Sequence, residues 1–186
     1  MAGTVCAVPP AAWAAAKKKP MNEVEFWALV SRAKRAAGPN VDARPVQLEI
    51  LLASLPLTSI QAFQRRYEAQ LLKASRWSLW GAAYVMNGGC SDDGFKYFRD
   101  WLISEGKERF DRSLADPDSL ADVPRREYLE LERYGYAATK AFEKKGGGAL
   151  ERDFQVEIAA PIGKERTEPE LPALYPRLAA AYGLKS

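Results

Sequence analysis

Apolar residues recur every three or four positions along most of the chain, which is the spacing of one face of an α-helix. The first stripe consists of Phe26, Leu29, Val30, Ala33 and Ala37. Asn22 and Glu25 predict the start of this helix, because their side chains can bond the free N–H groups of a first turn. Gly38-Pro39 predicts its end. A second apolar segment, from Val41 to Leu55, predicts a buried helix that stops before Pro56.

The middle of the chain predicts three further helices. The first has a capping box formed by Thr58 and Gln61 and runs toward Ser75. The next, residues 76–86, is apolar all round, which is typical of a helix at the centre of a core. Residues 87–89 (Asn-Gly-Gly) end it, and residues 91–93 (Ser-Asp-Asp) begin its successor, which extends to Gly106.

The C-terminal half is less regular. After a short helix around residues 110–114, a helix is predicted from Pro124 to Lys145, where three glycines break it. Phe154, Val156 and Ile158 alternate with polar residues, which is the pattern of a short strand. Residues 171–182 predict a closing helix that is interrupted at its prolines.

These elements predict an all-α fold. We expect a compact helical array of about seven helices with at most one short strand, because no second segment has the pattern of a pairing partner. The helical domain is expected to cover residues 21–183, and residues 1–20 form an N-terminal extension.

Composition narrows the range of functions. The 186 residues include no histidine, which removes Ser-His and Cys-His nucleophile pairs, histidine bases and imidazole-ligated zinc. The net charge of +3 is modest for a protein that binds nucleic acid, so we expect no such partner. No apolar run is long enough to cross a bilayer, so no membrane span is predicted. We expect neither a metal nor another cofactor.

The N-terminal extension offers candidate partners. Lys17-Lys18-Lys19 is either a solvated arm or a tether to phosphate or a membrane surface. Trp13 is either an exposed tail residue or an anchor for a protein partner or a second copy of the chain. Cys6 and Cys90 do not indicate a disulfide framework, and the basic residues follow the apolar run, which is the wrong order for a secretory signal. We therefore expect a cytoplasmic protein.

The segment Trp77–Trp101 concentrates aromatic rings, glycines and carboxylates. In one interpretation it is only a tight corner between two helices, in which Ser91 caps the second helix. Asp92 and Asp93 then lie where the positive end of the helix dipole favours them. This interpretation needs no ligand.

A second interpretation makes this corner an acidic pocket for a small molecule. Asp92 or Asp93 then acts as a general acid or base, because burial can raise the pKa of a carboxylate toward neutrality. The aromatic and polar groups proposed to bind the ligand are Trp77, Trp80, Tyr84, Asn87, Tyr97, Arg99 and Trp101. The rings also have the spacing of core residues, and Arg99 can equally pair with a neighbouring carboxylate.

A third interpretation has Asp92, Asp93 and Asp100 binding Mg²⁺ or Ca²⁺. Their spacing is unlike that of a calcium loop, so we predict no metal site. Cys90 precedes a helix N-terminus and can be considered a nucleophile, with Lys96 as the nearest cation. The adjacent aspartates oppose a thiolate, so a small buried residue is the better description.

Longer motifs carry a family resemblance: NEVEFW at 22–27, WSLWGAAY at 77–84, NGGCSDDGFKYFRDWLISEG at 87–106 and LPALYPRL at 171–178. Together they resemble a bacterial family known as domain of unknown function 4240, over residues 21 to about 182. The resemblance implies a small cytoplasmic domain and assigns no catalytic residue. The sequence thus leaves two classes of function open: a small-ligand pocket or histidine-independent acid/base enzyme, and a protein-interaction or regulatory module without catalysis.

Overall fold

A computed structural model describes residues 19–184 of the chain. This part contains ten α-helices: α1 Glu23–Ala37, α2 Arg44–Ala53, α3 Leu57–Lys73, α4 Trp77–Asn87, α5 Asp92–Ser104, α6 Lys107–Ala115, α7 Ala137–Lys144, α8 Gln155–Ile158, α9 Leu171–Leu174 and α10 Pro176–Tyr182. Four 3-10 segments accompany them: Val41–Ala43, Pro117–Asp122, Glu132–Tyr136 and Glu168–Glu170. Residues 19–184 hold no strand, so the all-α class is confirmed.

The helix at the centre of the fold is α5. Ten of its thirteen residues are buried, and it contacts α1, α3, α4, α6 and the 3-10 segment Glu132–Tyr136. Helix α4 was expected to be the central one because it is apolar all round. Its aliphatic and small residues are buried, but Trp77, Trp80 and Tyr84 are only half-buried. Helix α5 is central instead, because even its charged residues Lys96, Arg99 and Asp100 are buried.

Local signals in the sequence placed two helix starts correctly. The Asn22 side chain accepts a hydrogen bond from the Val24 N–H at 2.8 Å and begins α1. The Ser91 hydroxyl accepts one from the Gly94 N–H at 3.1 Å and begins α5. Between α4 and α5, Gly88 has φ of 70°, a conformation that glycine adopts at little cost. The predicted corner is therefore confirmed.

Two helix predictions need correction. The capping box at Thr58 does not form, because α3 begins at Leu57, two residues before the start that the box predicts, and has no side-chain cap. The predicted helix from Pro124 to Lys145 is shorter, since only the 3-10 segment Glu132–Tyr136 and α7 are helical there. The chain before them is held open by tertiary contacts: the Leu131 N–H donates to the backbone oxygen of Tyr97 at 3.0 Å.

The strand predicted over Phe154–Ile158 is wrong. Residues Gln155–Ile158 form a single helical turn, α8, because no neighbouring segment pairs with them as a strand. Among the three apolar residues of the predicted strand, Val156 is buried, whereas Phe154 and Ile158 are exposed. We call residues 151–162 the strap, because they cross the surface beside α3 and reach the start of α4.

Parts of the N-terminal extension lie outside the described residues. These include Cys6, Trp13, Lys17 and Lys18, so the proposals made for them stay predictions. At residue 21 the Met21 N–H donates to the backbone oxygen of Ala62 at 2.8 Å, which attaches the start of the helical region to α3. Within residues 19–184, no helix combines the length and apolar character that a bilayer span requires.

Candidate functional site

A cleft of about 370 Å³ lies beside α5, next to the corner that joins α4 to α5. The face of α5 contributes Asp92, Asp93, Phe95, Lys96, Tyr97 and Arg99. The remaining lining comes from Ser75, Trp80, Tyr136 and residues 158–161 of the strap. The volume falls within the range of small-molecule sites, about 300–1,000 Å³. Charged groups of both signs and aromatic rings thus share one recess.

The mouth of the cleft carries two carboxylates. Asp92 and Asp93 occupy the first turn of α5 and are exposed. The helix dipole stabilises negative charge there, and the Ser91 cap fixes where the turn begins. Neither carboxylate forms an ion pair with another described residue. Asp92 and Asp93 therefore lie at the N-terminus of α5, as the corner interpretation expects, and they also line the cleft, as the pocket interpretation expects.

The floor of the cleft is backed by a buried charged centre that consists of Lys96, Asp100 and Tyr67. The Lys96 ammonium donates to Asp100 Oδ2 at 2.8 Å, and the Tyr67 hydroxyl donates to Asp100 Oδ1 at 2.5 Å. Asp100 is completely buried. Burial raises the pKa of Asp100 to about 6, although Lys96 and the Tyr67 hydrogen bond act in the opposite direction. Burial also raises the pKa of Tyr67, and the Asp100 charge adds to that effect.

The 3-10 segment Glu132–Tyr136 closes over this centre. A Cβ atom at Gly135 would lie 2.6 Å from Lys96 Nζ and 3.1 Å from Asp100 Oδ2, so only glycine fits without displacement. The next residue, Tyr136, places its ring 5.3 Å from the Lys96 ammonium, and the ring of Tyr97 lies 5.6 Å from it on α5. Lys96 is therefore held between two aromatic rings, with a buried carboxylate behind it.

Arg99 occupies another part of the same wall. Its side chain is almost completely buried, and Nη1 donates to the backbone oxygen of Leu71 at 3.2 Å. The guanidinium group also lies 4.8 Å from the centre of the Phe95 ring. A guanidinium in such a position is fixed in orientation, which is what a ligand-positioning group requires.

The strap forms the facing wall. Ser75 anchors the strap twice. Its hydroxyl donates to the backbone oxygen of Ala159 at 3.2 Å, and its backbone oxygen accepts from the Ile162 N–H at 2.9 Å. At the other end, the Asp153 N–H donates to Glu68 Oε1 at 3.0 Å. Between these anchors Ile158 is 76% exposed and borders the cleft. The strap thus offers apolar surface to any molecule in the recess.

The structure brings together five of the nine predicted site residues. Asp92, Asp93, Trp80, Tyr97 and Arg99 all line the cleft.

The other four predicted residues have different positions. The ring of Trp77 packs 5.2 Å from that of Trp80 without lining the cleft. The pKa of Tyr84 is raised, first by a hydrogen bond with Glu168, which ties this residue to the C-terminal segment. Asn87 Oδ1 accepts from the Leu129 N–H at 2.9 Å, a structural contact. Trp101 is sealed in the core beside Phe98.

Sequence reasoning missed the centre behind the cleft. Lys96 was considered only as a neighbour of Cys90, and Asp100 only as a metal ligand. The signal was their spacing of four residues, which places both on one face of a helix. Tyr67, thirty-three residues away in sequence, had no such signal. The strap was missed because a strand was predicted there.

The metal interpretation depends on the position of Asp100, and the nucleophile interpretation depends on the ionisation of Cys90. Asp100 is bonded to Lys96 and Tyr67, apart from the exposed carboxylates, and residues 19–184 hold no group of three acidic or thiol side chains that could bind a metal. Burial raises the pKa of the Cys90 thiol to about 12, and Glu130 adds to this. The Cys90 thiol is therefore protonated at neutral pH, as its acidic neighbours led us to expect.

Residues 19–184 thus form an all-α domain with a cleft beside α5. Comparison with family models identifies it more closely: the model described as "Protein of unknown function (DUF4240)" matches residues 21–144. Because the match covers more than half of the chain, the protein belongs to this family. The match ends before the strap, whereas the resemblance in the sequence motifs extended to about residue 182. Neither the curated proteins nor the solved structures gave a match.

Proposed function

We propose that this domain binds a small molecule in the cleft beside α5. The observation that carries the proposal is a recess of about 370 Å³ in which charged and aromatic side chains converge from separate parts of the chain. A surface that served only as a helix corner would need neither the strap nor the aromatic wall. Asp92 and Asp93 are the candidate acid/base groups by position alone, since both line the recess but are exposed, and the burial expected from the sequence is absent.

The arrangement of the walls supports binding. Lys96 and Arg99 are almost completely buried and held by several contacts each, so their positions are set before a ligand arrives. Preorganised groups lose little entropy when a ligand binds, which favours affinity. The strap adds residues that are anchored by hydrogen bonds with Ser75 and Glu68 rather than by a regular element, so this wall can differ in shape without disturbing the core.

A cleft-filling variant tests the proposal. Ala160 is exposed and lines the cleft, so Ala160→Trp would occupy it, whereas Ala173→Trp places the same ring on exposed surface elsewhere. Each variant and the wild type would be screened by thermal unfolding against amino acids, organic acids, amines, sugars and nucleotides. A ligand at 100 times its Kd adds about 2.7 kcal/mol, which raises Tm by roughly 5–10 °C for a domain of this size.

We expect at least one compound class to stabilise the wild type and Ala173→Trp but not Ala160→Trp. Equal shifts in both variants would place the binding elsewhere and refute the proposal. Failure of every class to stabilise the wild type would also count against it.

A second candidate function is protein interaction. It is favoured by the exposed apolar side chains of the strap, since Phe154, Ile158 and Ile162 are each more than half exposed. Contiguous exposed apolar residues are typical of interaction surfaces. Phe154→Ser with Ile162→Ser removes apolar surface without altering the lining of the cleft. If these changes abolish a function of the protein that Ala160→Trp leaves intact, the interaction role is supported instead.

A further inference from the structure

We infer that the ligand of the cleft is a small zwitterion, a molecule that carries both a carboxylate and an amine. This inference rests on the proposed binding function and specifies the chemistry that the cleft recognises. It follows from the opposite charges of the floor and the mouth, and from the distance between them.

The floor favours an anionic oxygen. The Lys96 ammonium has three N–H donors, and Asp100 accepts one of them. No other hydrogen-bond acceptor within residues 19–184 contacts this ammonium, which also lies against Gly135 and between the rings of Tyr97 and Tyr136. Lys96 is 7% exposed and lines the cleft. A ligand carboxylate can accept the remaining donors, and such charge-assisted bonds are strong when they are shielded from water.

The mouth opposes a ligand that is only anionic. Asp92 and Asp93 are exposed there and form no ion pair with a described residue. A phosphate or dicarboxylate would meet these charges at the entrance. An ammonium group is attracted to them and can pair with either aspartate.

The spacing sets the size of the ligand. Asp92 and Lys96 are four residues apart on α5, so their Cα atoms are about 6 Å apart along the helix axis. A ligand that reaches both has its charged groups separated by a few bonds. The part between them lies against Trp80 and the strap, where apolar surface suits methylene groups. An ω-amino acid such as 4-aminobutyrate combines these features.

The test compares three matched probes on the full-length wild-type protein by isothermal titration calorimetry. 4-Aminobutyrate carries both charges, butyrate lacks the amine, and butylamine lacks the carboxylate. We expect 4-aminobutyrate to bind at least about tenfold more tightly than either analogue, because each analogue loses one charged contact. 6-Aminohexanoate and glycine would define the preferred length.

Two variants locate the contacts. Asp92→Asn with Asp93→Asn changes exposed residues and should weaken binding of 4-aminobutyrate without unfolding the protein. Its control is Glu25→Gln with Glu108→Gln, which removes the same charge from exposed first-turn positions of α1 and α6. Lys96→Met should weaken binding about 10- to 100-fold, with folding checked by circular dichroism. The probe comparison on the wild type stands even if this variant does not fold.

Several results would overturn the inference. Butyrate or butylamine binding as tightly as 4-aminobutyrate would show that one of the two charges is not recognised. Equal effects of the aspartate pair and the control pair would remove the mouth from the site. If zwitterions of every length fail but another compound stabilises the wild type and not Ala160→Trp, the cleft binds a different chemistry and only the inference fails. If nothing binds in the cleft, the proposed function fails with it.

Discussion

Replacing Asp100 with asparagine tests which force dominates in the core behind the cleft. Asp100 is completely buried, and burial raises the pKa of its carboxyl to about 6 from an ordinary 3.8, against the opposing influence of Lys96 and Tyr67. The folded protein therefore holds this proton at pH values where the unfolded chain has released it. The stabilisation by Asp100 is full below about pH 3.8 and is lost as the pH rises through about 6.

The magnitude follows from the pKa values. The difference between about 6 and 3.8 corresponds to about 3 kcal/mol at 25 °C. Asparagine has nearly the same shape and does not titrate, whereas every other ionisable group is common to both proteins. The free energy of unfolding of the wild type minus that of Asp100→Asn should therefore fall by about 2.4 kcal/mol from pH 4 to pH 7, because the unfolded carboxyl is already more than half ionised at pH 4.

Urea unfolding monitored by circular dichroism at pH 4, 5, 6 and 7 measures this difference. Most of the decrease is expected between pH 4 and 6. A difference that rises with pH would mean that the attraction of Lys96 outweighs burial and lowers the pKa of Asp100, which would refute the reasoning. A difference that stays constant would mean that burial and attraction cancel.

Three further predictions concern neighbouring features. Gly135→Ala should lower the free energy of unfolding by about 1–3 kcal/mol, because the added Cβ overlaps Lys96 Nζ; a double-mutant cycle with Lys96→Met should show a smaller cost in that background. Asp118→Ala should cost about 2–4 kcal/mol in urea unfolding, since the Asp118 carboxylate accepts the first-turn N–H groups of Arg177 and Leu178 at 3.1 and 2.9 Å; a cost below about 0.5 kcal/mol would show that these bonds contribute little. Iodoacetamide at pH 8 should label Cys90 at least about tenfold more slowly in the folded protein than in urea, as measured by mass spectrometry of its peptide, because burial raises the thiol pKa to about 12; equal rates would contradict that assignment.

Features determined by local sequence were predictable. The starts of α1 and α5 depend on a side chain and an N–H group two or three residues apart, at Asn22 and Ser91. The end of α4 depends on a glycine that can adopt positive φ, Gly88. Such signals are contained in a few consecutive residues, so they do not require knowledge of the rest of the fold.

Features determined by distant contacts were not predictable. Residues 124–131 have a helical pattern but are held open, because the N–H groups of Leu129 and Leu131 bond to Asn87 and to the Tyr97 backbone. The burial of Asp100 was not predictable for the same reason, because it depends on a contact with a distant part of the chain. A carboxylate in an amphipathic helix is ordinarily exposed, and its burial depends on Tyr67, which comes from another helix.

The candidate site combines both kinds of feature. Asp92, Asp93 and Tyr97 follow from the sequence of one helix, and Trp80 follows from the adjacent one. The strap and Tyr136 arrive at the cleft only through the packing of the C-terminal half, where two sequence predictions were wrong. Trp101 lies one turn after Tyr97 on the same side of α5, but it is sealed in the core whereas Tyr97 lines the cleft, a difference that spacing along one helix does not predict.

The central claim is that the cleft beside α5 holds a ligand, and the indole N–H signal of Trp80 reports on it most directly. In a two-dimensional NMR titration with the compound that most stabilises the wild type, this signal, assigned with Trp80→Phe, is expected to shift progressively. The buried Trp27 indole, which does not line the cleft, should stay in place. A titration that shifts signals elsewhere and leaves Trp80 unchanged would contradict the claim.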